Sequence, residues 1–481
     1  MTERCHLIFE GATVVDGTGA SAFVADVAVE GDRIAAVGDL AEWTADERID
    51  ARGRVLSPGF IDVHTHDDLA VFKSPDMCCK VSQGVTSVIA GNCGISVAPF
   101  ASGGPFPAPL TLLGGLHDFT YPTVAAYRAD WDRTPSSINL ALLVGHSSLR
   151  VTAMGDDLDR PASDDEAAAM ADALRQALLE GAIGFSTGLD YPPASKAPEE
   201  EIIALARVLA EVGGRIYTSH IRDEGDQVIE ALEEAIHTGG TARVRTVVSH
   251  HKCSGPKNYG RSVETLSLLN KAMASGTDIA LDVYPYTASS TSLLPKYVAD
   301  ADQVLITHSE PHPEAAGRQL SDLCAEWNLS PEAVAEKLHP AAAIYFQMDE
   351  GDLVRIMAHP AAMIGSDGLP GMPNPHPRLW GTFPRVLGRY VREKKTLGLE
   401  QAIHKMTGLS ARTFGLEERG QIAAGMAADL VLFNPETVLD VADYDDPERP
   451  SRGIEAVFVN GSAVWRDGAA CGNRPGRFLA P

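Results

Sequence analysis

The sequence predicts an α/β fold, a (β/α)8 barrel of the TIM type, with a small β-sandwich built from both chain ends and an insertion near the barrel mouth. Strand-like and helix-like segments alternate through the middle of the chain, which is typical of a parallel sheet with crossover helices. The alternation supplies eight strands, the number that closes this barrel. Short β-type runs with Gly and Asn-Gly turns occupy both chain ends.

The two chain ends share one pattern. Residues 6–57 contain short apolar runs broken by Gly and Asp, and similar runs return at 425–434 and 454–465. Neither region has a helical period, so we expect both ends to complete one β-sandwich. The predicted domains are residues 1–57 with 416–481 for the sandwich, 58–286 with 346–415 for the barrel, and 287–345 for the insertion.

The eight barrel strands are predicted from apolar runs that end in polar side chains. They lie near residues 60–63, 86–93, 138–146, 182–191, 215–220, 244–250, 278–284 and 362–367. A helix is predicted from Ser163 to Glu180, because Ser163 and Glu166 have the spacing of a capping box. The interval before the eighth strand is too long for a simple crossover, so we place an insertion there, over the barrel mouth.

Composition and charge exclude several classes of protein. The chain has 481 residues, of which 44% are hydrophobic, and a formal net charge of -25. That charge repels polyphosphates and anionic membranes, so neither nucleic acid nor a membrane is an expected partner. Seven scattered cysteines, and an N-terminus without a basic and apolar leader, predict a cytoplasmic protein with reduced thiols. Nothing in the sequence predicts an oligomeric state.

Side chains that can bind metal close five of the eight predicted strands. His64 and His66, spaced i, i+2, would point to the same face of the first strand. The other candidates at strand ends are Cys93, His220, His250 and Asp367. Imidazole, thiolate and carboxylate together suit Zn²⁺ better than Mg²⁺ or Ca²⁺. An inert buried thiol is the alternative interpretation of Cys93, and we regard His146 and His251 as structural or supporting residues.

The segment GFIDVHTHDD at residues 59–68 is similar to the first-strand signature of the amidohydrolase superfamily. Most members with two metals bridge them with a carboxylated lysine at the fourth strand, but residues 181–191 contain no lysine. This departure disfavours hydantoinase, dihydroorotase and urease-like activities. Along nearly its whole length the chain resembles the N-acyl-D-amino-acid deacylases, or D-aminoacylases. The resemblance rests on residues 59–68 and on GNCG at 91–94, TGLDY at 187–191, SHHK at 249–252, DVYPY at 282–286, IGSDGLP at 364–370 and HPRLWGTFPR at 376–385.

The resemblance implies a set of metal ligands and a substrate site. In that family a cysteine takes the place of the bridging lysine. Cys93, His220 and His250 would hold one tightly bound zinc ion. A second, weaker position would be framed by His64, His66 and Asp367, with Cys93 shared. The implied substrate residues are Arg378 and Lys252 as a carboxylate clamp, Tyr284 nearby, and Tyr191 and Ser290 lining the pocket.

The predicted function is zinc-dependent hydrolysis of the amide bond of N-acyl-D-amino acids, which gives a carboxylate and a free D-amino acid. In this hypothesis the metal activates a water, and Asp367 acts first as general base and then as general acid. A guanidinium such as that of Arg378 would pair with an anionic substrate despite the negative charge of the chain. The alternatives are a cyclic-amide or dipeptide amidohydrolase and a non-catalytic scaffold with the same fold.

The side chain of the preferred D-amino acid stays open. The resemblance implies that members with acidic substrates have an arginine in the stretch where this chain has Lys296 and Tyr297. Lys296 could meet a second carboxylate, or it could be a solvated lysine. An uncharged or mixed side-chain preference and a D-glutamate preference are therefore both retained.

Overall fold

The computed structural model describes residues 3–101, 103 and 106–481. Within these residues the strands are β1 Arg4–Val14, β2 Phe23–Glu30, β3 Arg33–Gly38, β4 Thr44–Asp50, β5 Val55–Pro58, β6 Phe60–Asp62, β7 Val85–Ala90, β8 Asn139–Gly145, β9 Gly184–Gly188, β10 Ile216–His220, β11 Thr246–Val248, β12 Ile279–Val283, β13 Ala288–Ser292, β14 Gln303–Ser309, β15 Ala341–Phe346, β16 Ala362–Ile364, β17 Leu430–Phe433, β18 Ile454–Val459, β19 Ser462–Arg466 and β20 Ala469–Ala470.

The α-helices are α1 Ala70–Lys73, α2 Cys78–Val81, α3 Val124–Arg133, α4 His146–Met154, α5 Asp164–Leu179, α6 Pro192–Ser195, α7 Glu199–Glu211, α8 Val228–Ala242, α9 Ser262–Ala274, α10 Pro295–Val298, α11 Leu320–Trp327, α12 Pro331–Leu338, α13 Glu350–Ala358, α14 Arg378–Arg385, α15 Leu399–Met406 and α16 Gly408–Phe414. Short 3₁₀ helices lie at Leu110–Leu112, Leu116–Asp118, Pro256–Asn258 and Pro313–Ala315, and a π-helix at Val386–Glu393 continues α14. No helix in the described ranges is long and apolar enough to cross a membrane.

Eight parallel strands form the barrel in the order β6-β7-β8-β9-β10-β11-β12-β16. The ring closes where Thr65 pairs with Gly368, next to a hydrogen bond of 2.8 Å from the backbone N–H of Asp367 to the carbonyl of His64. Alternation along each strand separates two cores. Ile89 of β7 belongs to the core inside the barrel, whereas its neighbours on the strand pack outward against the helices. The predicted fold class is confirmed.

Helix α5 shows how the local sequence sets the helices of the outer ring. Ser163 caps its first turn, and the Glu166 carboxylate accepts a hydrogen bond of 2.8 Å from the backbone N–H of Ser163. The buried residues Met170, Leu174 and Leu178 recur every four positions and give one apolar face. The capping box and the helix predicted from Ser163 are both present.

The chain ends together form a nine-stranded sheet of order β20-β19-β18-β17-β5-β1-β2-β3, with β4 beside β1. The rings of Phe9 on β1 and Phe458 on β18 meet edge to face at 5.2 Å. Their strands are three places apart, which would separate them by about 14 Å in a flat sheet. The sheet is therefore curled, and its two halves enclose a shared core, as in a sandwich. The exact domain limits stay predictions.

The segment between the seventh and eighth barrel strands forms its own small sheet. Strands β13, β15 and β14 are antiparallel, and helices α10 to α12 pack with them around a separate apolar core that includes Ile306, Leu323 and Val334. Residues of β13 and β15, such as Ser290 and Tyr345, line the substrate pocket described below. The insertion therefore supplies one wall of the site.

Candidate metal centre and active site

Six side chains meet at the carboxyl end of the barrel. They are the predicted ligands His64, His66, Cys93, His220, His250 and Asp367, and each lies at the end of a barrel strand or within four residues of it. Cys93, His250 and Asp367 have φ angles of 53°, 34° and 50°. Residues other than glycine rarely adopt this left-handed region, and those that do are concentrated at functional sites. Three strained turns therefore direct these side chains into one space.

The donor atoms form two groups that share the thiol of Cys93. One group is His64, His66, Cys93 and Asp367, the other is Cys93, His220 and His250, and the donor atoms within each group lie within 4.8 Å of one another. Cys93 Sγ lies 3.1 Å from His64 Nε2 and 3.3 Å from His250 Nε2. His66 Nε2 lies 3.2 Å from Asp367 Oδ1. The thiol is thus at the centre of both groups.

Gly188, the last residue of β9, makes room for the turn that carries Cys93. A Cβ atom at position 188 would lie only 2.2 Å from the carbonyl oxygen of Cys93. No side chain can be accommodated there without moving that turn. The fourth barrel strand, which lacks a lysine, therefore contacts the cysteine turn directly through its backbone.

The titratable groups of the cluster shift one another's pKa values. Burial opposes ionisation of Cys93, but the imidazoles of His64 and His250 hold the pKa of its thiol well below the usual value. Burial also raises the pKa of Asp367, yet the Arg378 guanidinium and His250 keep it well below its usual range. Burial lowers the pKa of His66, but Asp367 and Cys93 outweigh burial and raise this pKa to about 9. Ionisation of Cys93 and Asp367 is thus favoured, and the ionised thiol and carboxyl are the forms that bind a metal.

Two imidazole nitrogens of the cluster have no hydrogen-bond partner. His66 Nδ1 and His220 Nδ1 are buried and unpartnered within the part of the chain that the structure describes. Buried polar atoms without partners are rare, since each costs free energy. Unpartnered imidazoles beside a thiol and a carboxyl of depressed pKa form the mixed N, S and O donor set that zinc accepts. The residues present therefore fit a zinc ion.

Two carboxylates that the sequence reasoning missed orient the ligand histidines. Asp282 Oδ2 lies 3.3 Å from His64 Nδ1, and its Oδ1 accepts a hydrogen bond of 2.9 Å from the backbone N–H of His250. Glu224 Oε1 lies 2.9 Å from His250 Nδ1. Carboxylates in this position fix the orientation of ligating imidazoles. The position of Asp282 near the end of β12 could have identified it, whereas Glu224 lies in a loop with no comparable signal.

The predicted carboxylate clamp is assembled around Tyr284. The guanidinium carbon of Arg378 lies 4.6 Å from the centre of the Tyr284 ring, and Lys252 Nζ lies 5.6 Å from it. Arg378 is fully buried, and its Nη2 lies 3.0 Å from Asp367 Oδ2. Its Nε and Nη1 have no partner among the described residues. Two N–H groups of the buried guanidinium therefore have hydrogen-bonding capacity that the described residues do not use.

Lys252 is held by the same carboxylate that orients His250. Its Nζ donates to Glu224 Oε1 at 2.5 Å and lies 2.8 Å from His250 Nδ1. Burial lowers the pKa of Lys252, but Glu224 more than compensates and raises it. The ammonium therefore stays charged at the floor of the pocket.

The remaining predicted substrate residues line a pocket of about 40 Å³ above the cluster. The Tyr191 ring lies 4.8 Å from the His220 ring, and its hydroxyl forms a hydrogen bond of 2.9 Å with Thr291. The carbonyl of Ser290 accepts a hydrogen bond of 3.0 Å from Arg378 Nη2. Both residues therefore lie at the wall of the pocket.

His146 and His251 lie outside both ligand groups. His146 Nε2 pairs with Glu201 at 2.9 Å, and burial lowers its pKa. His251 Nε2 forms a hydrogen bond of 2.8 Å with Thr265. Each imidazole is thus committed to a neighbour in the barrel wall, in agreement with a structural role.

Lys296 lies at the rim of the pocket but is not simply solvated. Its Nζ donates to Asp190 Oδ1 at 2.6 Å, and the Tyr297 hydroxyl donates to the same carboxylate. Asp190 is itself part of the pocket lining. The Lys296 ammonium of the insertion is therefore matched by a carboxylate from the barrel.

The sequence matches the family model described as "Amidohydrolase family" over residues 47–326 and 334–465. It is 50% identical to a D-aminoacylase of Alcaligenes xylosoxydans xylosoxydans over 474 residues, which cover 98% of this chain and 97% of that protein. It is 48% identical to an N-acyl-D-glutamate deacylase of the same organism over 479 residues, which cover 100% of this chain and 97% of that protein.

A solved structure shares the fold throughout. The N-acyl-D-glutamate deacylase from Bordetella bronchiseptica, complexed with zinc and a phosphonate inhibitor, superposes with a TM-score of 0.96 at 47% identity, and the match covers 100% of both chains. The inhibitor of that complex is described as a mimic of the tetrahedral intermediate of the reaction. Both the sequence and the architecture of this chain are thus those of a metal-dependent hydrolase family.

Proposed function

The chain belongs to the amidohydrolase family and, within it, to the N-acyl-D-amino-acid deacylases, which hydrolyse linear amide bonds, and we propose a reaction on that premise. The proposed reaction is the hydrolysis of N-acyl-D-amino acids to a carboxylate and a free D-amino acid. The observation that carries the proposal is the position of Arg378, whose guanidinium joins the candidate metal centre to the substrate pocket through Asp367 and Ser290. In this arrangement the metal centre acts on the amide of the substrate, and Arg378 binds the carboxylate next to that amide.

The residues of the metal centre divide as the resemblance implies. Cys93, His220 and His250 would hold one zinc ion tightly, and His64, His66 and Asp367, with Cys93 shared, would hold a second one more weakly. When bound, zinc polarises the amide carbonyl and lowers the pKa of a water molecule. The support for this assignment is the depressed pKa of Cys93 and Asp367 and the unpartnered nitrogens of His66 and His220.

Asp367 acts as the proton carrier. Its carboxylate accepts a proton from the attacking water and returns it to the nitrogen of the leaving amino acid. Burial raises the pKa of Asp367, but the Arg378 guanidinium and His250 hold it well below its usual range. A substrate carboxylate that binds Arg378 offsets the charge of the guanidinium and so raises the pKa of Asp367, which makes its carboxylate a stronger base.

The amino acid carboxylate binds between Arg378 and Lys252. Nε and Nη1 of Arg378 carry N–H groups without a partner among the described residues, and a carboxylate oxygen can accept from either of them. Tyr284 contacts both cations with its ring and excludes water from them. Desolvation strengthens the pairing in this buried position. A substrate without a free carboxylate would leave Arg378 bound to Asp367 and the base suppressed.

The side chain of the D-amino acid is uncharged. Among the described residues of the pocket lining, the cations are the clamp residue Lys252 and the protonated form of the ligand histidines, while Lys296 at the rim is paired with Asp190. A second carboxylate would meet Asp190 as well as Lys296. Tyr191, Tyr297 and Tyr345 offer ring faces to an apolar or aromatic side chain instead.

The proposal is tested by acyl release from paired N-acetyl-D- and N-acetyl-L-amino acids with leucine, phenylalanine and glutamate side chains, in the presence of zinc. We expect turnover of the D-forms alone, with the leucine and phenylalanine substrates preferred. Dihydrouracil and hydantoin serve as controls for cyclic-amide hydrolysis. Turnover of the cyclic amides without turnover of any N-acetyl-D-amino acid would refute the proposal, and a zinc-loaded protein inert toward all substrates would favour a scaffold.

A further inference from the structure

A second and much larger cavity lies beside the metal-ligand cluster. Its volume is about 600 Å³, against about 40 Å³ for the substrate pocket. Sites for small molecules usually have about 300–1,000 Å³. His66 and Leu112 line both spaces, so the two meet at the ligand cluster. The larger cavity is therefore continuous with the place where the reaction occurs.

The two spaces lie over opposite sides of the barrel. The substrate pocket is lined by residues that follow β9, β10, β11 and β12, including Tyr191, His220, Lys252 and Tyr284. The cavity is lined mainly by residues that follow β6, β7 and β16, such as Leu69, Leu113 and Met372, and by residues of the insertion, such as His308 and Ala342. Strands β6 and β16 are neighbours in the closed ring. The ligand cluster thus separates the two spaces.

This arrangement fixes the direction of a bound substrate. The clamp residues Arg378 and Lys252 hold the amino acid carboxylate on the side of β11 and β12. The scissile amide must lie over the ligand cluster, so its acyl half extends past His66. We propose that the cavity is the acyl subsite and that the enzyme takes N-acyl groups much larger than acetyl, with medium-length aliphatic or arylalkyl chains. The inference rests on the hydrolysis proposed above.

The lining favours a neutral and apolar occupant. Leu69, Phe106, Leu113 and Met372 present apolar surface to the cavity, together with three prolines. Its charged side chains, Lys73 and Glu310, have opposite signs.

The charged groups of the cavity do not form a cationic site. Lys73 Nζ is paired with Asp118 Oδ1 at 2.9 Å, and His308 contributes an ionisable imidazole to the lining beside Glu310. With the lysine neutralised, no net positive charge remains to select an anionic acyl group. Apolar burial is the contribution the cavity can make to binding.

The first test is a series of substrates with one D-amino acid, preferred in the assay above, and acetyl, butanoyl, hexanoyl, octanoyl and phenylacetyl groups. We expect kcat/KM to rise about twofold per methylene, roughly half the gain of full burial, hence about 60-fold from acetyl to octanoyl. A decrease of kcat/KM with chain length, with the acetyl substrate still turned over, would overturn the acyl subsite and leave the proposed function intact. No turnover of any substrate in the series would overturn both.

A variant that fills the cavity localises the effect. Thr111 is exposed on the 3₁₀ helix Leu110–Leu112 and lines the cavity but not the substrate pocket. Thr111→Trp should lower the octanoyl-to-acetyl ratio of kcat/KM at least about tenfold, since the indole takes up chain-binding surface. Thr241→Trp, at an exposed position of α8, is the matched control and should keep the wild-type ratio. An unchanged ratio in Thr111→Trp would contradict the assignment of the cavity.

Discussion

Two buried ionic clusters flank the segment that follows β6, and they differ in how their charges are compensated. In the first, the Lys80 cluster, Lys80 Nζ lies 2.8 Å from Asp62 Oδ2, 3.2 Å from Asp67 Oδ2 and 3.0 Å from Ser366 Oγ. In the second, the ligand cluster, a thiol and a carboxyl of depressed pKa meet imidazoles with unpartnered nitrogens. The Lys80 cluster is built around an ammonium, whereas the ligand cluster is built around the thiol of Cys93.

We therefore assign a structural role to the buried charges of the Lys80 cluster and a functional role to those of the ligand cluster. Lys80 pairs with one carboxylate before the two histidines, that of Asp62, and one after them, that of Asp67. The Asp62 carboxylate also accepts a hydrogen bond of 2.7 Å from the backbone N–H of Ser366. The cluster therefore ties β6 to the turn that carries Asp367. The ligand cluster is built on that support, and its donor atoms fit a metal ion. Substitutions in the two clusters should consequently damage different properties.

The largest expected effect is on turnover in the ligand cluster. Asp367→Asn removes the proton carrier, and positioned acids and bases contribute about 10²–10⁴-fold to rates. We expect kcat for an N-acetyl-D-amino acid to fall about 10³-fold at saturating zinc, with the protein still folded. Steady-state kinetics beside Asp445→Asn, an exposed control, checks this. Retention of most of the turnover would rule out Asp367 as the base.

In the Lys80 cluster the effect should be on stability. Lys80→Met leaves Asp62 and Asp67 buried without their cation, and removing one partner of a buried ion pair costs about 3–5 kcal/mol. Denaturant unfolding should show a loss of that size. Lys271→Met, at an exposed position of α9, should change the free energy of unfolding by less than about 0.5 kcal/mol. Equal stabilities of the two variants would contradict a structural role for Lys80.

Glu224→Gln is expected to have an intermediate effect, on metal affinity. It removes the negative charge that orients His250 while keeping a similar shape, and losses of such supporting partners cost about 10–100-fold in metal affinity. Competition with a chelator should reveal the loss, with Glu264→Gln on exposed α9 surface as the control. If Glu224→Gln bound zinc with wild-type affinity, the Glu224 carboxylate would not be needed to orient His250.

The smallest expected effect is on side-chain selectivity at the pocket rim. Asp190→Asn releases Lys296, and a partly exposed ion pair is worth at most about 1 kcal/mol, or about fivefold. The ratio of kcat/KM for N-acetyl-D-glutamate to that for N-acetyl-D-leucine should rise by this factor. The double variant Asp190→Asn/Lys296→Met should lose the gain. A ratio that stays raised in the double variant would mean that Lys296 does not contact the substrate.

The fold was predictable because its signals are local. Each barrel strand is an apolar run that ends in a turn, and the Ser163 and Glu166 spacing marked the start of α5 before any tertiary contact was known. The candidate ligands were identifiable for the same reason, since a barrel brings the carboxyl ends of all its strands together. His64 and Asp367 are 303 positions apart, yet both lie at strand ends and so share one side of the barrel.

Contacts between unrelated loops were not predictable. Asp190 and Lys296 belong to the fourth strand turn and the insertion, and no periodicity links them. Glu224 lies in a loop whose path depends on the neighbouring strand turns. The pairing of Arg378 with Asp367 depends on how α14 is placed after a loop, which the sequence pattern leaves undetermined. These contacts change the orientation and the pKa of metal ligands, whereas the ligands themselves can be identified from the sequence.

Stepwise addition of zinc to metal-free protein tests most directly whether the ligand cluster is the functional centre. Hydrolysis of an N-acetyl-D-amino acid and the midpoint of unfolding would be followed together, because a ligand that binds only the folded state stabilises it. We expect both to rise and the hydrolysis to reach its maximum near one equivalent of zinc. Full turnover by the metal-free protein, or zinc addition that changes neither quantity, would contradict the account.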